Sequence, residues 1–418
     1  MSVGFTFDEQ SIRGELNCDI TPEKIAAIGC AASGIMGEKL AVSTDSDCLM
    51  VKNALIAGAL SGGATILDFG EQPKVITRSG IMFYNLSGGF HISEGGKRID
   101  LLSSNGLNPD YSDIAEIKRL CKEGKMKRVA DDKIREVVSL QSYKMYYLRA
   151  ILNDCHNEQL GFNLLISVDN STVKNIVTAI LEDTGCRYTL YRDHEEKLGE
   201  GFAKVVKNEG YDFGVFIDKS GEKLTLCDGR GRILTKDIYQ CLCSMIIFKG
   251  EKERTFVAPI DAAFAVDIIA EAYGGKIIRT GRAKKLIMSK VSELGREGMC
   301  SQFILEFDPV GSLIKIMDFL KSQRLTLEGA VNSMPSVYIV SKDVECKESK
   351  KARIMHRLAC ENKGRCDITE GVKIYEKGGW TLISPETKNY FKITAEGAST
   401  EMAEEFVNKY IDKIRKIK

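Results

Sequence analysis

The sequence is short of histidine, with four in 418 residues, and no two of its thirteen cysteines stand in a CxxC pair. The closest pair is Cys241 and Cys243. Zinc clusters need grouped thiolates and imidazoles, so a structural metal cluster is not expected. An odd number of irregularly spaced cysteines is read as free thiols, mostly small core hydrophobes, in a reducing cytoplasm. No apolar run approaches the ~20 residues of a membrane helix, and no N-terminal signal pattern is present. The longest apolar runs, such as Leu164-Leu165-Ile166 or Cys243 to Phe248, are core-strand or core-helix material. Formal net charge is only +1, so no global field points to nucleic acid, a membrane or an acidic substrate. No GxGxxG follows any first strand, which argues against a dinucleotide-binding dehydrogenase.

What is present is a repeated layout. Lys39–Val42 reads as an apolar strand, followed by the polar turn Thr44-Asp45-Ser46-Asp47, a helix from about Leu49 to Leu60, Gly62-Gly63 and a strand at Thr65–Leu67. Phe162–Val168 opens a second copy, with the turn Asp169-Asn170-Ser171, a helix to about Leu181, Gly185 and the strand Arg187–Tyr191. Thr255–Ala258 opens a third, with Pro259-Ile260-Asp261, a helix to about Tyr273 and the strand Lys276–Arg279. Apolar residues in the helices recur at three and four positions, as in Ile176, Ile180 and Leu181. Strand–helix–strand units of this size favour parallel or mixed sheets. The C-terminal part reads as a helix from about Lys351, then strands Val372–Tyr375, Trp380–Ile383 and Tyr390–Ala395, and an amphipathic helix Glu401–Ile414. The expected fold class is α/β: three related α/β domains with mixed sheets plus a small α+β domain. Boundaries are expected at 1–145, 146–249, 250–347 and 348–418.

The stretch Gly88-Gly89-Phe90-His91-Ile92-Ser93-Glu94-Gly95-Gly96 has the form of a strand entering a glycine-rich turn. Such turns place a hydroxyl nucleophile or backbone N–H groups against a phosphate. Ser93 is the one hydroxyl in it. Alternatively, Ser93 caps or tightens a glycine turn.

Collinear short motifs carry a resemblance over nearly the whole chain. They are Ser11-Ile12-Arg13-Gly14 with Thr21-Pro22-Glu23, Asp45 with Gly62-Gly63, Gly88-Gly89 before an apolar strand, Ser104-Asn105-Gly106, Cys227 to Leu234, and Gly379-Trp380-Thr381-Leu382. In this order they resemble the α-D-phosphohexomutases. The resemblance implies a heart-shaped four-domain architecture and phosphoryl transfer through four loops. A serine of TASHNP carries the phosphoryl group, three aspartates of DGDxDR hold Mg²⁺, ExSGH grips sugar hydroxyls, and RPSGTEP grips phosphate. Those residue types suit the chemistry, which needs an in-line nucleophile, a hard cation on oxygen ligands and donors for phosphate oxygens.

Each loop departs from its pattern. The first becomes Ser93-Glu94-Gly95-Gly96-Lys97-Arg98, with Gly95 where the phosphoserine is expected and Ser93 at the family's threonine position. The metal loop becomes Asp218-Lys219-Ser220-Gly221-Glu222-Lys223, in which Asp218 is retained while Ser220 and Glu222 replace the other two aspartates. These residues either hold Mg²⁺ weakly through waters or form a charged hairpin turn. The sugar loop becomes Arg296 to Ser301, keeping Glu297 and gaining Cys300. The phosphate loop becomes Ser384-Pro385-Glu386-Thr387-Lys388-Asn389-Tyr390, without the family's bidentate arginine.

Four coincident departures lead to the expectation of a catalytically inactive or strongly divergent phosphohexomutase homologue with a binding, regulatory or scaffolding role. An active divergent phosphosugar mutase using Ser93, or an enzyme of another chemistry in the remodelled cleft, is the alternative. Arg13, Glu297, Thr387 and Lys388 are the candidate sugar and phosphate contacts, and Asp218, Ser220 and Glu222 the candidate metal ligands. No cofactor is expected unless family activity persists, in which case it is Mg²⁺. The expected partner is an anionic small molecule or another protein.

Overall fold

Lys39–Thr44 and Thr65–Glu71, the strands that bracket the first helix, pair in parallel. The computed structural model describes residues 6–7, 11–191, 199–250, 254–295, 299–386 and 389–416. Leu40, Ala41 and Val42 are all fully buried, so this strand is covered on both faces, as a continuous apolar run in a parallel sheet requires. The crossover helix Leu49–Ser61 ends at Gly62 and packs on helix Pro22–Met36. A Cβ on Gly58 would lie 1.9 Å from the carbonyl oxygen of Ala26, so only glycine lets the two backbones approach this closely.

Seven strands complete this sheet in the order Thr6–Phe7, Ser11–Arg13, Arg98–Ser103, Gly88–Ser93, Lys39–Thr44, Thr65–Glu71, Val137–Ser139. Gly88–Ser93 runs parallel to Lys39–Thr44 and antiparallel to Arg98–Ser103. The strand period of two sends Phe90 and Ile92 into the core with Leu40 and Val42. It sends His91 and Ser93 to the other face, where their register partners are Asp100 and Arg98.

Helix Lys74–Phe83 lies on that polar face. Lys74, Thr77 and Arg78 recur at intervals of three and four, which makes them one stripe. The stripe points inward: Lys74 is 4% exposed and Arg78 2%, whereas Phe83 at the helix end is 71% exposed. Val75, Ile76 and Ile81 are buried as well, so the helix is enclosed on its polar and apolar sides alike.

A four-stranded sheet follows, in the order Leu224–Asp228, Phe213–Ile217, Asn163–Val168, Arg187–Leu190. The last three strands are parallel, and helix Ser171–Asp183 connects two of them, capped by the Asn170 side chain on the Val173 amide. Phe213–Ile217 and Leu224–Asp228 form an antiparallel hairpin with residues 218–223 at its tip. Helices Ser301–Phe307 and Pro309–Gln323 belong with these two sheets. Asp308 caps the longer one through the Val310 and Gly311 amides and also accepts the Tyr147 hydroxyl. All of these elements form one compact unit, Met1–Ile233 with Ser292–Glu328.

The second unit comprises Leu234–Val291 with Gly329–Lys418. It contains the third repeat, with Thr255–Pro259 parallel to Lys276–Thr280 through helix Phe264–Ala272. It also holds an antiparallel sheet in the order Ile339–Glu345, Tyr390–Glu396, Gly379–Pro385, Val372–Glu376, Cys366–Asp367. Helices Glu348–Glu361 and Thr400–Lys416 accompany this sheet, and Phe391, Ile393, Val407 and Tyr410 are among its fully buried core. Lys373 is buried within this unit. Its ammonium donates to the Ile260 carbonyl at 2.6 Å and sits 4.2 Å from the centre of the Trp380 ring.

The fold is therefore the expected mixed α/β class closed by an α+β part. The run Cys243 to Phe248 lies in helix Lys236–Gly250. No described helix is long and apolar enough to cross a membrane. The two units cut across the expected boundaries, since residues 234–249 fall in the second unit and residues 292–328 in the first.

Candidate functional site

The Ser93 loop is a tight reversal in which three successive residues, Glu94, Gly95 and Gly96, have positive φ of 55°, 65° and 94°. Glycine is the residue for which this costs nothing, which accounts for two of the three. Ser93 stands at the position before a short 3₁₀ turn, yet its side chain makes no capping hydrogen bond. The loop is tied from elsewhere. The Gly95 amide donates to Ser46 Oγ at 3.2 Å, and the Ser46 hydroxyl donates to Asp45 at 3.0 Å. Asn170 Nδ2 donates to the other Asp45 oxygen at 3.2 Å, so the polar turns of the first two repeats meet here. Burial raises the Asp45 carboxyl above its ordinary value, although the Ser46 and Asn170 bonds oppose this. A Cβ on Gly95 would meet no atom within 4 Å.

Arg13 reaches the same loop, with its guanidinium 3.8 Å from Glu94, and Arg98 lies 4.0 Å from the same carboxylate. Lys97 pairs with Glu15 at 2.6 Å on the surface. The basic residues around this loop thus already face acids of the chain itself.

Beneath the loop lies a buried ionic network. Lys74 Nζ stands 3.1 Å from Asp100 Oδ2 and 2.9 Å from Glu222 Oε2. Arg78 lies 3.0 Å from Glu222 Oε1 and also donates to Asn108 at 2.9 Å and to the Gly106 carbonyl. Arg98 grips Asp100 through Nε and Nη2, at 3.0 and 2.7 Å to Oδ1. Burial alone would raise the Asp100 carboxyl, but Lys74 and Arg98 outweigh it and hold the group below its ordinary value.

His91 borders this network without joining it. Gln72 donates to Thr77 Oγ1 at 3.1 Å and the Thr77 hydroxyl donates to Ser43 Oγ at 2.7 Å. The Ser43 hydroxyl is left to donate to His91 Nδ1 at 2.9 Å, which puts the imidazole proton on Nε2. Burial, with Lys74 close by, pushes the ring's pKa down to about 3.

The three metal-loop positions do lie in one turn. Asp218 Oδ1 accepts the amides of Glu222 and Lys223 at 3.0 and 2.9 Å, and its Oδ2 accepts the Ser220 hydroxyl at 2.7 Å. Gly221, at φ 67°, completes a self-bonded hairpin tip. Both Asp218 oxygens serve that turn, and both Glu222 oxygens face buried cations. A hard divalent cation needs several carboxylate oxygens free of competing positive charge. This donor set does not fit Mg²⁺. Among the described residues, no group of three His, Cys, Asp or Glu side chains is placed to hold a metal ion.

Of the other expected site residues, Glu297, Thr387 and Lys388 lie outside the described residues. Cys300, at the start of helix Ser301–Phe307, has its thiol pKa raised by burial, the opposite of an activated thiolate. In the second unit, Glu386 lies 3.6 Å from Arg282, and Arg282 also pairs with Glu370 at the same distance. Sequence reading missed Lys74, Arg78 and Asp100. The available signal was two basic residues four apart inside an otherwise apolar helix, and by hydropathy these read as a solvated edge.

The sheets, the glycine-rich hairpin and the aspartate-led turn give the chain a phosphohexomutase-like fold, and over nearly its whole length it is similar to curated phosphosugar mutases of the α-D-phosphohexomutase kind. No protein-family model matches it. It is 23% identical to a probable phosphoglucosamine mutase of Pyrococcus furiosus, over 97% of each chain. It is 25% identical to a phosphoglucomutase/phosphomannomutase of Thermococcus kodakarensis, again over 97% of each. Among solved structures, a phosphoglucomutase/phosphomannomutase family protein of Burkholderia thailandensis matches with a TM-score of 0.80. That match covers 98% of this chain and 96% of the other at 13% identity.

Proposed function

We propose that this chain is a phosphohexomutase homologue that does not run the mutase cycle and acts by binding, in a regulatory or scaffolding role. The ligand class is a phosphosugar-like or other anionic small molecule, with a protein partner as the second possibility. Arg13, Glu297, Thr387 and Lys388 are the proposed ligand contacts. The four-domain division and a cytoplasmic location belong to the same proposal.

The observation that supports it most is the commitment of Glu222. Phosphoryl transfer needs a nucleophile, a cation for the transferring oxygens and a geometry that holds both. Here the nucleophile position is Gly95, and the carboxylate retained at the third metal position is already neutralised by Lys74 and Arg78. An active divergent mutase would have to use Ser93, whose hydroxyl is not engaged in capping.

The test incubates purified protein with glucose 1-phosphate, mannose 1-phosphate or glucosamine 1-phosphate, together with Mg²⁺ and a bisphosphate activator. Turnover of ~1 per second or faster, the ordinary enzymatic range, overturns the proposal. A phosphoryl adduct mapped to Ser93 by intact mass and peptide sequencing favours the Ser93 mutase instead.

A further inference from the structure

We infer that the ammonium of Lys74 has taken over, within the first unit, the charge compensation that a divalent cation supplies to a carboxylate-bearing turn. The turn 218–223 is thereby locked to the helix Lys74–Phe83 without metal. The inference concerns structure and ion binding, and it holds whether or not the chain turns over a phosphosugar.

Three observations carry it. Lys74 is almost wholly buried, yet a lysine in such a place is tolerated only when its charge is matched. The match comes from two carboxylates on separate elements, Asp100 on the hairpin strand and Glu222 on the turn, at 3.1 and 2.9 Å. One cation gripped by carboxylates from two loops is the arrangement by which a bound metal ion cross-links a fold. The remaining valences are filled as well. Arg98 takes the rest of Asp100, and Arg78 takes the other oxygen of Glu222 while also donating to Asn108 and the Gly106 carbonyl. With Glu94, which also faces Arg98, three acids meet three bases, so no carboxylate of the cluster is left in excess to attract a divalent ion. The Asp218 carboxylate, meanwhile, serves its own turn. Positive charge is thus supplied covalently where a carboxylate turn elsewhere recruits an ion from solution.

The experiment uses the full chain. The midpoint of thermal unfolding, read by far-UV circular dichroism, is compared in millimolar MgCl₂ and in EDTA, and Mn²⁺ binding is followed by electron paramagnetic resonance. Wild-type protein is expected to unfold at the same temperature in both buffers and to leave the Mn²⁺ signal that of the free ion. Lys74→Met, which leaves Glu222 to Arg78 alone and Asp100 to Arg98 alone, should lower the midpoint by roughly 10 °C. Combining it with Glu222→Gln should recover part of that loss, because the second change removes the charge the first left unmatched. Additive losses in the double variant overturn the inference. So does a wild-type midpoint that rises by several degrees with Mg²⁺ in a manner abolished by Glu222→Gln. Should Lys74→Met fail to fold, Glu222→Gln alone decides: an equal midpoint drop with Mg²⁺ and with EDTA supports the inference, and a drop confined to Mg²⁺ overturns it.

Discussion

Replacing His91 by glutamine should reverse the sign of the first unit's response to mild acid. His91 has an ordinary pKa of 6.5 and falls to about 3 in the fold, chiefly through burial. Below its ordinary value the unfolded chain takes up a proton that the folded chain refuses, so stability is lost as the pH falls. Between about pH 7 and pH 5 the loss is about 2 kcal/mol, and it approaches about 5 kcal/mol once the pH nears the folded value. Asp308, in the same unit, works the other way. Burial raises its carboxyl from 3.8 to about 6, so the folded state binds the extra proton and gains stability on acidification. Over the same interval that gain is about 1.3 kcal/mol. The two groups nearly cancel in the wild type, with a net loss below about 1 kcal/mol. In His91→Gln only the Asp308 gain remains, and in Asp308→Asn only the His91 loss. Urea unfolding at the two pH values measures this, with far-UV circular dichroism as the probe, because the single tryptophan, Trp380, reports on the second unit. Groups common to all three proteins drop out of the comparison. If His91→Gln keeps the wild-type pH dependence, the imidazole is not a buried neutral base.

Three further outcomes follow from the geometry. Gly95→Ser restores a hydroxyl at a position with open space around its Cβ, at a cost of about 1 kcal/mol for a left-handed non-glycine residue, seen as a small drop in unfolding temperature. Incubated with a hexose bisphosphate and Mg²⁺, that variant should acquire no phosphoryl group by intact mass, because the carboxylates of the metal turn stay engaged; an adduct on the introduced serine refutes this. In the second unit, burial lowers Lys373 from 10.5 to about 8, so the unfolded state binds the proton more tightly between those values. Stability should therefore rise with pH across that window by up to about 3 kcal/mol, and Lys373→Met should abolish the rise when unfolding is followed by Trp380 fluorescence.

The parallel pairs of all three repeats were legible because a buried strand needs an apolar run and its helix a three-and-four period, and both signals are local. The helix Glu348–Glu361 begins three residues before the expected Lys351, since Lys347 at its start offers no capping side chain to mark the boundary. The loop around Ser93 was found, but what holds it was not. Ser46, from a different turn, binds the Gly95 amide, and no spacing rule links the two. The ionic network was least legible of all. Arg78 and Glu222 are 144 positions apart, and a lysine facing inward is decided by the carboxylates that meet it rather than by its neighbours in sequence.

The first unit is discontinuous in sequence, and this bears on how it comes to be made. Tyr147 donates its hydroxyl to Asp308, and the His156 and Asn157 amides donate to Asp318 at 3.0 to 3.1 Å, contacts that span more than 160 positions. During synthesis, residues 234–291, which belong to the other unit, emerge before either carboxylate exists. The helix Tyr143–Asn153 and the segment after it cannot make these contacts until Asp308 and Asp318 have left the ribosome. Closure of this unit is a late, long-range event, of the kind that sets the pace of folding and leaves apolar surface open to chaperones in the interval.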